Sequence, residues 1–402
     1  MFSGKWLWVI GGGLLQVPLI EQAKLLGLKV VVSDANSKCV AKEYADYFLV
    51  LDIFDIEGHL QALTDLPFCI NGVLAAGIDA PETMAFMNQA LGLKGVLPEV
   101  ALLSQQKDLF RKAMQEKGYS TPKFKVLDLN TNVFEVLQDF GLPLIVKPPA
   151  NSASRDMKIF YANELDACTE FISSLLERYD RLLIEELWHG EEQTVECLLD
   201  IEGKFHRGFI TDRKFTFENG FPVETGLVHP TCLATEQQER LYVFAEKIAQ
   251  DFDLQVGAVK LDTILTAEGP KLIELAVRHS GGFDCQYLVP LATGKNILKA
   301  AILTAMQQLF PPDLLTARWE KFGQTASVWP KPGVIKSING KEEVLSTPEI
   351  AHVFMRYDVG DTVMPYEDCS RRVAFIISIS ESRELTASSL LQAQKTLKVI
   401  TG

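Results

Sequence analysis

Residues 256–282 read V-G-A-V-K-L-D-T-I-L-T-A-E-G-P-K-L-I-E-L-A-V-R-H-S-G-G, and no other stretch restricts the fold as tightly. Two apolar-rich runs flank the turn T-A-E-G-P, which is a strong hairpin signal. With the turn centred on Glu268, Asp262 lies opposite Glu274, Lys260 opposite Ala276, and Ala258 opposite Arg278. The two-residue period of strands puts these six on one face. Val259, Leu261, Thr263, Ile273, Leu275 and Val277 form the other face, which is expected to pack into a core. Carboxylates directly across a strand pair repel. A hard cation held between them reverses that sign, because Mg²⁺ takes one or two carboxylates together with phosphate oxygens. Arg278 offers a bidentate fork for a further anion. The competing reading is a solvated face on which Lys260 and Arg278 neutralise the acids. Register decides between them, since a slip of one residue separates the pair.

The first hundred residues alternate short apolar strands (Leu7–Ile10, Lys29–Ser33, Tyr47–Leu51, Gly72–Ala75) with helical patterns such as Pro18–Leu26. This is the βαβ rhythm of a doubly wound parallel sheet. The first turn, G-G-G-L-L-Q, carries Gly11 and Gly13 of a dinucleotide fingerprint, and Asp34 stands where a ribose-binding acid would. Position 16 is Gln instead of the third glycine, so the match is partial. Gly77, Ile78, Asp79 and Pro81 follow a strand end, where open α/β sheets bind ligands.

A helix is expected from Ser104 to Gly118, then strands at Phe124–Leu127, Pro143–Lys147, Lys158–Tyr161 and Arg181–Glu185, with a helix at Glu164–Glu177. Antiparallel strands dominate beyond Gly190, interrupted by a helix around Glu236–Phe252. The chain is strand-rich again from about 315 and closes with a helix, Leu385–Leu397.

With 402 residues, two or three domains are expected. The formal net charge of −13 argues against nucleic acid as a partner. No apolar run is long enough to span a bilayer, and the N-terminus lacks a signal-peptide layout. Seven dispersed cysteines without a C-x-x-C pair fit reduced thiols in a cytoplasmic protein.

Taken in order, these segments resemble the ATP-grasp superfamily, and within it the carboxylate–amine ligases: amino-acid ligases and carbamoyl-phosphate-synthase-like relatives. The resemblance covers nearly the whole chain. It implies an α/β and α+β protein in three parts: an N-terminal doubly wound parallel-sheet domain (1–103), an ATP-grasp domain whose two α+β subdomains clamp ATP (104–310, lid subdomain about 120–186), and a small strand-rich C-terminal domain (311–402). Lys107 in Q-K-D-L-F-R and Lys147 in P-L-I-V-K-P match the lysines on nucleotide phosphates. In L-L-I-E-E-L-W-H-G-E-E, Glu185 and the backbone at Glu186 and Trp188 match the hinge that reads the adenine edge, and Glu192 the acid on the ribose. Asp262 and Glu274 match the metal carboxylates, and Arg278 the arginine that stabilises an acyl-phosphate or tetrahedral intermediate. Arg213, Glu224 and His229 fall where amino-acid ligases place the acceptor pocket, and His279 neighbours Arg278.

Two features depart from the family pattern. Ala276 stands where an Asn often touches metal, although some amino-acid ligases likewise keep only E-x-x-x-R. The lid loop Pro149–Asp156 is normally glycine-rich and here has no glycine. Ser152, Ser154 and backbone N–H groups are left to cover phosphates, and non-glycine residues resist positive φ.

The resemblance implies ATP with Mg²⁺ or Mn²⁺, small-molecule carboxylate and amine substrates, an acyl-phosphate intermediate, and release of ADP and phosphate. A homodimer is the default expectation. Three other readings compete. One is a purine-pathway-type ligase acting on a ribotide. Another is a catalytically inactive ATP-binding protein. The last is an NAD-dependent oxidoreductase built on Gly11, Gly13 and Asp34.

Overall fold

The computed structural model describes residues 2–402. The chain forms two compact units, each assembled from three stretches of sequence. One comprises the chain through Gln105, Gln193–Thr211 and His229–Glu320. The other comprises Gln106–Glu192, Asp212–Val228 and Lys321–Gly402.

In the first unit the βαβ rhythm becomes a four-stranded parallel sheet in the order Tyr47–Val50, Lys29–Asp34, Trp6–Ile10, Ile70–Leu74. Its strands are near-continuous apolar runs because helices cover them, as parallel sheets require. Leu7, Val9, Val30 and Val32 are fully buried and share a core with Ile20, Ala23 and the helix Ile297–Ala305. The glycine turn after the first strand satisfies itself. Gly12 N–H donates to Asp34 Oδ2 (2.7 Å) and Gly13 N–H to Gln16 Oε1 (2.8 Å). Two amides that a pyrophosphate would need already have acceptors, and Gln16 is the residue that replaces the fingerprint's third glycine.

The hairpin of Gly257–Thr266 and Gly269–Ala276 also belongs to this unit, next to Glu192–Leu199 and the first half of Phe205–Glu218. Helix Thr235–Asp251 lies against it. Asp262 does pair with Glu274, and Lys260 with Ala276, but by a different route from the one expected. The turn is closed by Thr266 and Gly269, which alone would set Asp262 opposite Ile273. An irregularity between Asp262 and Thr263 pairs Thr263 with Leu272, so that Ile273 is the extra residue of a bulge. That one residue returns both carboxylates to the same register. Leu272 accordingly takes the fully buried place expected of Ile273. The ladder ends at Ala276, so Arg278 lies beyond it and not opposite Ala258. Lys260 and Asp262 are buried, which removes the solvated-face reading.

In the second unit four antiparallel strands run in the order Phe124–Asp128, Arg181–Glu186, Leu144–Lys147, Lys158–Phe160. Helices Val133–Phe140 and Leu165–Leu176 pack on them through Leu137, Ile172 and Leu176. A second sheet joins the latter half of Phe205–Glu218 to Phe221–His229, Phe322–Val328, Ala374–Ser380 and Ile350–Met355. Helix Arg383–Thr396 packs on it through Leu390 and Ala393. Gly226 is needed where these strands meet, because a Cβ there would come within 2.0 Å of the Thr325 carbonyl oxygen. Gly226→Ala is therefore expected to destabilise the protein by about 1–3 kcal/mol, the cost of overpacking. A urea midpoint equal to that of wild type would show that the strands part without strain.

The helix expected from Ser104 is two helices, Pro98–Gln105 and Lys107–Glu116. The break is at Gln106, which is extended (φ −102°, ψ 93°). Lys107 N–H finds an acceptor outside the helix, the Pro149 carbonyl oxygen at 3.1 Å, and this fixes Lys107 as the first residue of its helix. Among the described residues, no helix is long and apolar enough to cross a membrane.

Candidate active site

The candidate residues fall into two groups, one in each unit. In the second unit Lys147 ends its strand and Glu185 lies on the neighbouring one. Lys147 Nζ is 2.5 Å from Glu185 Oε2, and Arg111 Nε is 2.6 Å from Glu185 Oε1. All three are buried. Burial would raise the Glu185 carboxyl, but Arg111 and Lys147 outweigh it and hold the group down at about 2. Lys147 is lowered, first by burial and then by the charges of Arg111 and Lys107, against the pull of Glu185. Two buried cations thus share one carboxylate with Lys107 close enough to act on Lys147, and such a concentration of cations suits a phosphate. Glu185, expected at the adenine edge, has its side chain turned inward to orient Lys147. Arg111 was not singled out in the sequence. It sits one helical turn from Lys107, at the i,i+4 spacing that shares a face.

The depressed Glu185 pKa has a consequence for stability. Its contribution is complete above the ordinary value of 4.5 and is lost as pH falls toward about 2. The melting temperature is expected to hold down to about pH 5 and then fall. Calorimetry at closely spaced pH values checks this, and a flat profile to pH 3 would contradict it.

Lys107 Nζ donates to the Asn151 carbonyl oxygen at 2.7 Å, in the lid loop. The loop needed no glycine: Ala153 (φ 56°), Ser154 (φ 59°) and Asp156 (φ 54°) all adopt left-handed backbone. Such conformations persist where the surroundings over-determine them. Here Asp156 takes bonds from Tyr179 OH (2.5 Å) and Arg178 (2.8 Å), and Asn151 Nδ2 bonds Tyr179 OH at 2.9 Å. Cys369 N–H donates to the Ala153 carbonyl oxygen, and Cys369 Sγ lies 3.8 Å from Ser154 Oγ. Ser152 Oγ accepts from Arg155 at 3.3 Å.

At the hinge, Glu186 is exposed and its N–H donates to the Lys123 carbonyl oxygen at 2.8 Å, while Trp188 is half-buried in the extended segment that follows. Glu192 Oε2 accepts from Arg213 (2.9 Å), and Arg213 also holds Glu224 Oε2 (2.9 Å). Arg372, absent from the sequence reading, reaches Glu224 Oε1 at 3.3 Å. Arg213 and Glu224 are therefore together as expected. His229 belongs to the other unit, where its Nδ1 donates to the Ile210 carbonyl oxygen at 3.1 Å.

In the first unit Asp262 Oδ1 accepts from Thr194 Oγ1 (2.8 Å) and Oδ2 from Lys260 Nζ (2.6 Å). Arg278 Nε donates to Asp79 Oδ1 at 2.6 Å. Burial works against the Arg278 charge, but Asp79, Glu274 and Asp262 overcome it, so the guanidinium is held protonated. In the sequence Asp79 is marked only by its place in the loop after a strand end. Asp262, Glu274 and Asp79 face two cations, Lys260 and Arg278. The opposed hard oxygen donors of Asp262 and Glu274 fit a Mg²⁺-type ion. His279, expected beside the substrate, is buried under Arg278 with its Nδ1 2.7 Å from Glu196 Oε1, so that ring nitrogen is committed to the protein.

Comparison with known proteins agrees with this architecture. A family model described as ATP-grasp domain matches residues 140–286, and one described as L-amino acid ligase C-terminal domain 2 matches residues 327–402. D-alanine–D-alanine ligase of Azoarcus sp. is 31% identical over 179 residues, 44% of this chain and 57% of that one, so the chain matches a little over half the length of that relative. Dapdiamide A synthase of Enterobacter agglomerans is 22% identical over 355 residues, covering 84% of this chain and 82% of that one. The crystal structure of L-amino acid ligase from Bacillus licheniformis matches with a TM-score of 0.82 over 100% of both chains at 21% identity, a likeness of fold. Residues 140–286 thus match the ATP-grasp domain family, and residues 327–402 match a C-terminal domain family of L-amino acid ligases.

Proposed function

We propose that the protein joins a small carboxylic acid to an amine at the expense of ATP, and that amino acids supply both groups. The observation that carries this reading is the opposed pair Asp262–Glu274 with the half-buried, protonated Arg278 just beyond it. The carboxylate of one substrate attacks the γ-phosphorus of ATP and ADP leaves. The amine of the other attacks the acyl phosphate, phosphate leaves, and the amide forms. A carboxylate resists attack because its charge is delocalised, and phosphorylation removes that charge while creating a leaving group.

Phosphoryl transfer needs positioning and charge neutralisation more than covalent help from the protein. Lys147, held by Glu185, and Lys107 neutralise nucleotide phosphates. Asp262 and Glu274 are the residues that would hold Mg²⁺ or Mn²⁺, which supplies further neutralisation of phosphate charge when bound. Arg278 stabilises the oxyanion that forms as the amine attacks. Glu192 takes the ribose hydroxyls, and Arg213 and Glu224 line the acceptor side. Ser152 and Ser154 cover the phosphates and keep water from the acyl phosphate. The amides of the glycine turn already have acceptors within the turn and from Asp34, which weighs against a nicotinamide cofactor there. Seven cysteines with free thiols suit a reducing cytoplasm, and a homodimer is the expected assembly.

The test is ADP release from Mg-ATP across a panel of amino acids, singly and in pairs. Release that requires two amino acids supports the ligase and names its substrates. ATP binding without release under any pair would reduce the protein to a nucleotide binder.

A further inference from the structure

One buried carboxylate, which no step of the reaction above uses, is bonded to the two residues that follow the arginine that reaction needs. Glu196 is 1% exposed, on strand Glu192–Leu199. Its Oε1 is 2.7 Å from His279 Nδ1 and its Oε2 accepts Ser280 N–H at 2.8 Å. A single side chain therefore fastens the two residues that immediately follow Arg278. The same short segment is tied on its other side. Gly77 N–H donates to the His279 carbonyl oxygen (3.0 Å), and Gln286 Nε2 to the Ser280 carbonyl oxygen (3.0 Å). Arg278 itself donates to the His279 carbonyl oxygen at 3.1 Å. His279 forms a single parallel bridge with Ala76, and beyond the segment the chain turns through left-handed backbone at Gly282 (φ 71°) and Phe283 (φ 70°).

Burying a carboxylate this completely is a poor way to gain stability, because its desolvation offsets the attraction of its partners. Burial pushes the Glu196 carboxyl up, and His279 with the Ser280 N–H more than reverses it. The group stays charged where an apolar side chain would pack at less cost. What the carboxylate provides is geometry: two fixed bonds to the backbone and ring next to Arg278.

We propose that Glu196 is a positioning residue for Arg278, acting through His279 and Ser280, and that it governs how fully the acyl phosphate is committed to amide formation. The inference rests on the ligase reading. Arg278 serves the step after phosphoryl transfer, so a displaced guanidinium slows amine attack while phosphorylation continues. Water then takes the acyl phosphate, returning carboxylate and phosphate, and ADP is released without amide.

The experiment compares wild type, Glu196→Gln, Glu196→Ala, His279→Ala and His279→Asn. Asn places an amide N–H where Nδ1 stood. Amide and ADP are quantified together, with KM for ATP, melting temperature and hydrogen exchange of the 277–283 segment. For Glu196→Ala and His279→Ala, amide formation is expected to fall about 100-fold, the scale of a small misplacement. Amide per ADP should drop well below one, with KM for ATP within about twofold of wild type. His279→Asn should recover most of the coupling. Adding Arg278→Lys to Glu196→Gln should cost no more than Arg278→Lys alone, as for residues acting as a unit.

Unchanged coupling in folded Glu196 variants would overturn the proposal. So would stoichiometric zinc in the wild type that is lost with Glu196, since Glu196, His279 and Cys285 present ligand atoms within 4.8 Å of one another. Hydrogen exchange needs no substrate: if wild type turns over nothing, faster exchange at 277–283 in Glu196→Ala still supports the anchoring, and unchanged exchange refutes it. Should Glu196→Ala fail to fold, His279→Ala and His279→Asn carry the same comparison.

Discussion

Glu274→Gln is expected to lower turnover by about 10³-fold or more, the several kcal/mol that a bound metal contributes to phosphoryl chemistry. The fold should survive unharmed. Asp262 and Glu274 are directly opposed across the hairpin, and like charges in that arrangement destabilise a sheet by a few tenths of a kcal/mol to about 1 kcal/mol. Removing one of them leaves the metal-free protein as stable as wild type or slightly more so. The stabilisation by Mg²⁺ with ATP, which wild type should display as a rise in melting temperature, should shrink in the variant. Turnover and stability therefore move in opposite directions, which a general loss of structure cannot imitate. Retained turnover would sink the metal assignment.

Glu185→Ala is expected to have the largest effect on stability. Breaking a buried ion pair by removing one partner costs about 3–5 kcal/mol, because the other charge stays buried without compensation. Here the loss removes the carboxylate that Arg111 and Lys147 share, both almost fully inaccessible. Urea unfolding monitored by circular dichroism measures the change. A loss under about 1 kcal/mol would mean that water or a rearranged side chain reaches the cations, and the closed triad would be the wrong description. The acid limb of the stability profile should also weaken in this variant, since the depressed carboxyl that produces it is gone.

Much of the molecule was legible without coordinates. The parallel sheet follows from short apolar runs alternating with helical patterns, and its four strands fall within a residue or two of the expected bounds. The strands around the lid were equally readable, because turn residues bracket each apolar run. Lys147 stood out because a lysine closing an apolar strand demands a partner. The helix at Ser104 divides in two although nothing in S-Q-Q-K marks a break. The break depends on Lys107 N–H finding the Pro149 carbonyl oxygen, a residue 42 positions away.

The amino-acid sequence by itself determined which faces of the hairpin are apolar, where the chain changes from a two-residue to a helical period, and which residue types were available for phosphate and metal. These are properties of neighbours in the chain, and local periodicity records them. The pairing of Asp262 with Glu274 was legible too, but only the tertiary structure decided how it is reached and which distant partners the other charges take. A bulge at Ile273, which no local pattern announces, brings Asp262 opposite Glu274. Glu185 meets Arg111 across 74 residues, His279 meets Glu196 across 83, and Arg278 meets Asp79 across 199. Most of these charges are buried or nearly so and must be compensated by some partner, but composition says only that a partner exists. Which one it is depends on how distant strands pair and pack, because that is what carries the two charges out of water to the same place.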